Sequence, residues 1–339
     1  MDHSRPSRVS IVIPAYNATR TISLCLTSLA GQTYPGHALE IFVVDDGSTD
    51  GTPEFIAQLV RGWDATKPRV TVLRQAHQGP AAARNRGAAA ATGAFLLFTD
   101  ADCEAEHDWV EQMTTPFRSA EIAAVKGAYK TKQRSLVARF AQAEFDARYR
   151  LLAEAPYIDV VFSYSAGFRR EIFTGIGGFD TSFPVADNED TELSYRVATA
   201  GHRIVFNPRA IIYHQHPETL RQYLRKKYSR AYWRIMVYKR FPGKAVHDSY
   251  TPQSLKVQIG AVFLSVAGAL LLPLSSAGTY ILLAAGTAFI ATAAPFVWQI
   301  PRRELGLKVA APLLLFCRAA VMALGLTRAV PRLFVNTAS

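Results

Sequence analysis

The sequence predicts an α/β domain built on a doubly wound sheet, followed by apolar helices that enter a membrane. Three observations predict it. Short apolar runs alternate with helix-like segments over the first hundred residues, the order that places helices on both faces of a parallel sheet. Three of the first four apolar runs end in Pro-Ala-Tyr-Asn, Asp-Asp-Gly-Ser or Asp-Ala-Asp, polar turns at the strand ends where such sheets bind ligands. Residues 257–301 contain no Asp, Glu, Lys, Arg or His, whereas a helix of a soluble core keeps a polar face.

The elements follow in order. Residues 9–13 form an apolar run stopped by Pro14, the pattern of a strand buried on both faces. A helix over 19–31 carries Ile22, Leu24, Leu26 and Leu29 and stops at Gly31. A strand at 41–44 runs into Asp45-Asp46-Gly47-Ser48, and a helix near 53–61 leads to a strand at 69–73. Alanine-rich residues 81–91 read as a helix closed by Gly93, and a strand at 94–98 enters Thr99-Asp100-Ala101-Asp102. Further on, 134–153 is helical in period, and 160–168 reads as a strand entering a turn. Residues 177–180 make a loop, a helix opens at 187 and ends at Gly201, and a strand at 210–213 leads to His214. Asp187 or Asn188 can cap that last helix, whose first turn is acidic.

Composition narrows the partners. At 339 residues, 49% hydrophobic and 19% charged, the chain is folded, with room for one large domain and a smaller part. Its 38 basic and 27 acidic residues leave a charge of +11, which suits a nucleic acid, an anionic membrane or a phosphorylated substrate. Nine Lys and Arg lie within 218–244 against Glu218 alone, so most of the excess sits in one segment. Tyr223, Tyr228, Tyr232 and Trp233 are interleaved with those cations, the composition of an amphipathic helix at lipid headgroups. No RNA- or DNA-binding motif accompanies it, which argues against a nucleic-acid partner. Cys25, Cys103 and Cys317 are odd in number and far apart, excluding a disulfide framework or a structural zinc site. The apolar run before Pro14 is too short for a secretory signal, so the N-terminal part is expected to stay in the cytoplasm.

A bilayer core takes about 20 apolar residues per helix, so the uncharged stretch accommodates two spans, near 256–274 and 279–300, with a turn at 274–278. Basic residues flank both ends, including Arg302, Arg303 and Lys308, placing both flanks in the cytoplasm. A third apolar stretch, 309–326, has Arg318 near its middle, at a cost of about 2.5–3.5 kcal/mol or more in mid-bilayer. It is expected either as a span whose arginine faces protein or as an interfacial helix, with the balance towards a span.

The chemistry points to the acids. Asp45-Asp46 and Asp100-Asp102 each follow a strand, and their convergence on one sheet edge needs a cation or hydrogen-bond donors to offset repulsion. Hard oxygen ligands suit Mg²⁺ or Mn²⁺ shared with a diphosphate. Arg84 and Asn85 lie in a segment able to supply donors nearby. No GxxxxGK[ST] loop and no GxGxxG after the first strand is present, which removes the usual NTPase and dinucleotide readings.

The series Val9–Asn17 (VSIVIPAYN), 43–50 (VVDDGSTD), Arg84-Asn85, 98–102 (FTDAD) and Gly177-Gly178-Phe179-Asp180 with Glu189-Asp190 resembles the family 2 glycosyltransferases of GT-A fold. The resemblance covers about residues 8–220. It implies a GT-A nucleotide-diphospho-sugar transferase fold, a Rossmann-like mixed sheet, followed here by C-terminal transmembrane helices. The implied division is a catalytic domain at 1–217, a basic interfacial segment at 218–254 and a membrane domain at 255–339. The implied activity is inverting transfer of a sugar from a nucleotide-diphospho-sugar with Mg²⁺ or Mn²⁺. Position by position, Pro14, Tyr16, Asn17 and Asp46 would line the nucleoside pocket, Asp46 accepting from the base. Arg84, Asn85 and Asp100 would complete the nucleotide-sugar site, with Asp100 near the ribose. Asp102 would hold the metal, joined by His214 or else His216. Asp190 would be the general base, with Glu189 beside it.

Gln222 and Arg225 stand where processive synthases of the family carry Gln-x-x-Arg-Trp, but Lys226 replaces the tryptophan. The chain also shows no span before the catalytic domain and too few spans for a polymer channel. Addition of one sugar to a lipid-linked or cell-envelope glycan acceptor, at the cytoplasmic face of a multi-pass membrane protein, is therefore expected. Two rivals remain, a sugar-phosphate nucleotidyltransferase and a non-enzymatic membrane scaffold with a nucleotide pocket. The former lacks its Gly-rich basic loop in residues 9–20.

Overall fold

A computed structural model describes residues 6–183 and 187–334; the first five residues of the N-terminal stretch read above lie outside them. The elements are β1 (Val9–Ala15), α1 (Ile22–Ala30), β2 (Leu39–Asp45), α2 (Thr52–Val60), β3 (Arg69–Arg74), α3 (Pro80–Ala90) and β4 (Phe95–Phe98). Then come β5 (Glu104–Ala105), α4 (Trp109–Thr114), β6 (Ile122–Lys130), α5 (Leu136–Glu154), β7 (Ala166–Arg169), α6 (Arg170–Gly175), α7 (Glu189–Thr199) and β8 (Arg203–Tyr213). The chain continues through α8 (Leu220–Arg240), α9 (Pro242–Val246), α10 (Gln253–Leu271), α11 (Ala277–Gln299), α12 (Leu305–Ala329) and α13 (Pro331–Phe334).

Two compact units divide these elements, residues 1–132 with 152–215 and residues 133–151 with 216–339. Most of α5 therefore groups with the C-terminal helices, although the sequence reading assigned it to a domain ending at 217.

In the first unit the strands form one mixed sheet in the order β3-β2-β1-β4-β7-β6-β8-β5. β3, β2, β1 and β4 are mutually parallel, and β7 runs antiparallel to both β4 and β6. The parallel half matches the apolar runs because its central strands are covered on both faces. Ile11, Ile13, Ile41, Val43 and Leu97 pack with Ile22, Leu26 and Leu29 of α1 in one core. The stretch at 160–168 becomes a strand only from Ala166, after a short 3₁₀ turn at Ser163–Ser165. β6, β5, α4 and the first half of β8 were not anticipated. β6 is written IAAVKGAYK, where a lysine and a glycine interrupt the apolar pattern.

α3 lies close against β1 and β2. A Cβ on Gly87 would stand 2.4 Å from Val12 Cγ1 and 3.1 Å from Val44 Cγ2. The glycine thus sets how near the helix, and the arginine it carries, comes to the sheet.

In the second unit, α10, α11 and α12 are each long and apolar enough to cross a membrane. α10 and α11 pair as a hairpin with its turn at 272–276, within a few residues of the expected spans. Leu270, Tyr280, Ile290 and Trp298 are left exposed on it. α8 opens with a capping box: Gln222 N–H donates to Thr219 Oγ1, and the Gln222 side chain accepts from Thr219 N–H.

Replacing Gly87 by alanine should destabilise the chain by about 1–3 kcal/mol through overpacking. Gly62→Ala, whose Cβ would meet nothing within 4 Å, should stay within about 0.5 kcal/mol. Denaturant unfolding of both variants followed by tryptophan fluorescence checks this; equal midpoints would contradict the close approach of α3.

Candidate active site

The carboxyl ends of β1, β2 and β4 and the start of α7 bring the predicted residues of the first unit towards one rim of the sheet. Their parts differ. Tyr16 is half exposed after β1, and its ring lies 4.5 Å from that of His77. Pro14 is half-buried in β1. Asn17 adopts φ 50°, in the left-handed region that asparagine tolerates. Its side-chain oxygen accepts from Thr49 N–H at 2.9 Å, while its own N–H donates to Ser48 Oγ. Asn17 therefore fastens two loops together. Asp50 does the same, accepting from Thr19 and Thr52. Against desolvation, the hydrogen bonds from Thr52 and Thr19 hold its carboxyl down at about 2.

Asp46 is engaged with its own chain. Its carboxylate is buried: Oδ1 accepts from Gln75 Nε2 and Gln78 N–H, and Oδ2 from Gly79 N–H, while His77 Nδ1 lies 3.1 Å from the Asp46 carbonyl. It shapes the 75–79 loop. Asn85 is likewise committed. It exchanges two 2.8 Å hydrogen bonds with the backbone of Phe179 and so holds the glycine loop at 177–178.

Arg84 is not a surface charge. It is buried on α3, with Nη2 donating to Asp100 at 2.7 Å and Nη1 to Glu189 at 3.1 Å. Although burial opposes its charge, Asp100 and Glu189 together raise its affinity for the proton. Glu189 is pushed the other way from an ordinary carboxyl, up to about 7, by burial and then by Asp190, with Arg84 opposing.

Asp100 and Asp102 are joined by His214 and Cys103, their ligand atoms all within 4.8 Å of one another. Cys103 is buried, and burial followed by the two carboxylates raises its thiol well above the usual range; a sulfur is also a soft partner for Mg²⁺ or Mn²⁺, which leaves the two aspartates and the imidazole. His214 Nδ1 lies 2.8 Å from the Gln215 carbonyl, which can only accept, and 3.1 Å from Tyr129 Oη. Nδ1 therefore carries the proton in the neutral ring, and the lone pair of Nε2 faces Asp102 Oδ1 at 3.4 Å. Two acceptors turned towards each other fit a divalent cation held between them. His216, the second candidate, belongs to the other unit. It is buried there, hydrogen-bonded to Gln133 and Gln142 and against the Phe145 ring. Gln222 and Arg225 also lie in that unit, exposed on the first turns of α8.

Asp190 occupies the first turn of α7, whose N-cap is Asn188 in left-handed backbone. Oδ1 accepts from Thr191 N–H at 2.7 Å. Asn188 makes no side-chain cap bond, so the acids of the first turn supply the charge complementary to the helix dipole.

One residue was not foreseen. Lys126, in β6, is fully buried, donates to Tyr164 Oη at 2.9 Å and lies over the Phe162 and Tyr164 rings. Burial lowers its ammonium to about 7, with the nearby Asp190 charge opposing. A lysine flanked by Val125 and Gly127 inside an apolar run was the available signal.

The carboxyl of Glu189 bears on stability. Its value is raised above that of the unfolded chain, so its contribution is complete below about 4.5 and is lost as the pH rises through about 7. Glu189→Gln removes that dependence. The variant's melting temperature relative to wild type should therefore shift in its favour between pH 5 and 8, as measured by thermal scans. A flat difference, or one of opposite sign, contradicts the burial argument.

Comparison with known proteins agrees with this geometry. The profile "Glycosyl transferase family 2" matches residues 10–177. Glycosyltransferase AglE of Haloferax volcanii is 36% identical over 119 residues, 35% of this chain and 38% of that protein. The probable glycosyltransferase YdaM of Bacillus subtilis is 31% identical over 228 residues, 65% of this chain and 53% of its own length. The chain thus spans about half or less of these curated relatives. A mannosyltransferase from Pyrobaculum calidifontis, solved with GDP-Man and Mn²⁺, shares the fold with a TM-score of 0.62 at 21% identity, covering 96% of this chain and 88% of that one. With the sheet of GT-A type and the motifs in family order, the chain belongs to the family 2 glycosyltransferases.

Proposed function

We propose that the chain transfers one sugar from a nucleotide-diphospho-sugar to a lipid-linked or cell-envelope glycan hydroxyl, with inversion at the anomeric carbon, at the cytoplasmic face of a membrane. The observation that carries this is the Asp100–Arg84–Glu189 bridge. It ties the acidic end of β4 to the helix start that bears Asp190.

Tyr16 and His77 offer adjacent ring faces for a nucleobase, above loops braced by Asp46, Asn17 and Asp50. Asp100, Asp102 and His214 would hold Mg²⁺ or Mn²⁺. The ion supplies charge neutralisation for a departing diphosphate. Asp190 accepts the proton of the acceptor hydroxyl as its oxygen forms a bond to the anomeric carbon. The bond from that carbon to the diphosphate oxygen breaks, and the electron pair leaves with the nucleoside diphosphate. A carboxylate at a rigid helix start keeps the orientation that such a base needs. Lys126 lies near enough to Asp190 for that charge to oppose the loss of its own proton.

Asp190→Asn should lower transfer by roughly 10²–10⁴-fold while leaving donor binding intact. Release of nucleoside diphosphate, and the mass gained by membrane lipids from cells making the chain, measure it. A variant with wild-type turnover would overturn the assignment. Asp102→Ala and His214→Ala should each weaken Mn²⁺ binding about tenfold or more, read by calorimetry on the full chain; unchanged binding would remove the metal from the proposal.

A further inference from the structure

Mg²⁺ or Mn²⁺ would use three of the four ligand groups gathered at the rim. The fourth is the Cys103 sulfur, which lies within 4.8 Å of an oxygen of Asp100, an oxygen of Asp102 and a ring nitrogen of His214. It is the innermost of the set: Cys103 is 1% exposed, whereas the side chains of His214 and Asp102 are 16% and 45% exposed. Cys25, the other buried thiol of this unit, is engaged elsewhere and donates to the Asp100 carbonyl at 3.5 Å.

Two carboxylates, an imidazole and a thiol form a donor set of mixed hardness. Carboxylate oxygens suit Mg²⁺ and Mn²⁺, but a thiolate selects softer ions, zinc among them. Four-coordinate zinc has bonds of about 2.0–2.3 Å, which set its ligand atoms roughly 3.3–3.7 Å apart. Asp102 Oδ1 and His214 Nε2 already stand 3.4 Å apart. No pair in the set has to close by more than about 1.5 Å to reach that geometry. The imidazole is prepared as well. Its Nδ1–H is held by the Gln215 carbonyl at 2.8 Å, the kind of outer partner that fixes a metal-binding histidine.

We propose that this site also takes a thiophilic divalent ion, zinc, with Cys103 as the fourth protein ligand. On binding, the sulfur forms a bond to the ion and its proton passes to solvent, as for any coordinating thiol. A zinc site with four protein ligands is closed, whereas a catalytic one keeps a position for water or substrate. The zinc form therefore offers no position to a diphosphate oxygen. This inference rests on the metal site proposed above and adds to it a residue that Mg²⁺ and Mn²⁺ leave unused.

Cobalt(II) is the probe, because it adopts zinc's geometry and a bound thiolate gives it an intense near-ultraviolet charge-transfer band. The full chain loaded with Co²⁺ should show that band. Cys103→Ala should abolish it and weaken Zn²⁺ binding about tenfold or more. Its Mn²⁺ affinity should stay within about threefold of wild type, since a thiolate contributes little to that ion. Zn²⁺ and Mn²⁺ should displace one another in calorimetric competition. If the alanine variant does not fold, zinc-edge X-ray absorption of the wild-type chain decides, with one sulfur expected at about 2.3 Å. A shell of nitrogen and oxygen alone, a band that survives in Cys103→Ala, or simultaneous binding of both ions would overturn the role of Cys103 while leaving the Mn²⁺ site standing. A wild-type chain that binds neither ion would remove that site and this inference together.

Discussion

One buried guanidinium organises the acidic rim. Arg84 donates to Asp100 at the end of β4 and to Glu189 at the start of α7. Those carboxylates, with Asp190 alongside, would repel one another in a poorly solvated setting. Removing one partner from such a buried set is costly because it strands charge. Arg84 reaches them only because Gly87, one turn along α3, lets the helix settle against Val12 and Val44. Backbone packing, electrostatics and the placement of Asp190 are thus one chain of cause.

The parallel half of the sheet could be read from the sequence because strands covered on both faces are written as uninterrupted apolar runs. The other half could not. In β6 a buried lysine and a glycine break the run, and the signal of β8 is interrupted by Asn207-Pro208. Pairing β7 between β4 and β6 depends on contacts distant in sequence that no local pattern records.

The site was legible as a set of residues more than as a set of roles. Asp100, Asp102 and His214 do meet. Asp46, Asn17 and Asn85 stand at the rim but spend their hydrogen bonds on loops, as Asx residues in Gly- and Ser-rich turns commonly do. Arg84 was expected at the site as a donor, but its pairing with Asp100 and Glu189 could not be read because Glu189 is 105 residues away in the chain. Arg318 posed the same difficulty, since its partner Glu144 is 174 residues distant.

The position of β8 has a consequence for biogenesis. The last sheet strand ends at Tyr213, and the first strongly apolar helix begins only at Gln253. Domains fold as units as they emerge from the ribosome, so every strand of the sheet is available before the helices α10 to α12 leave the exit tunnel. The eight-stranded sheet can thus close its core without waiting for the apolar helices. The order of translation therefore separates the folding of the sheet from the emergence of the apolar helices.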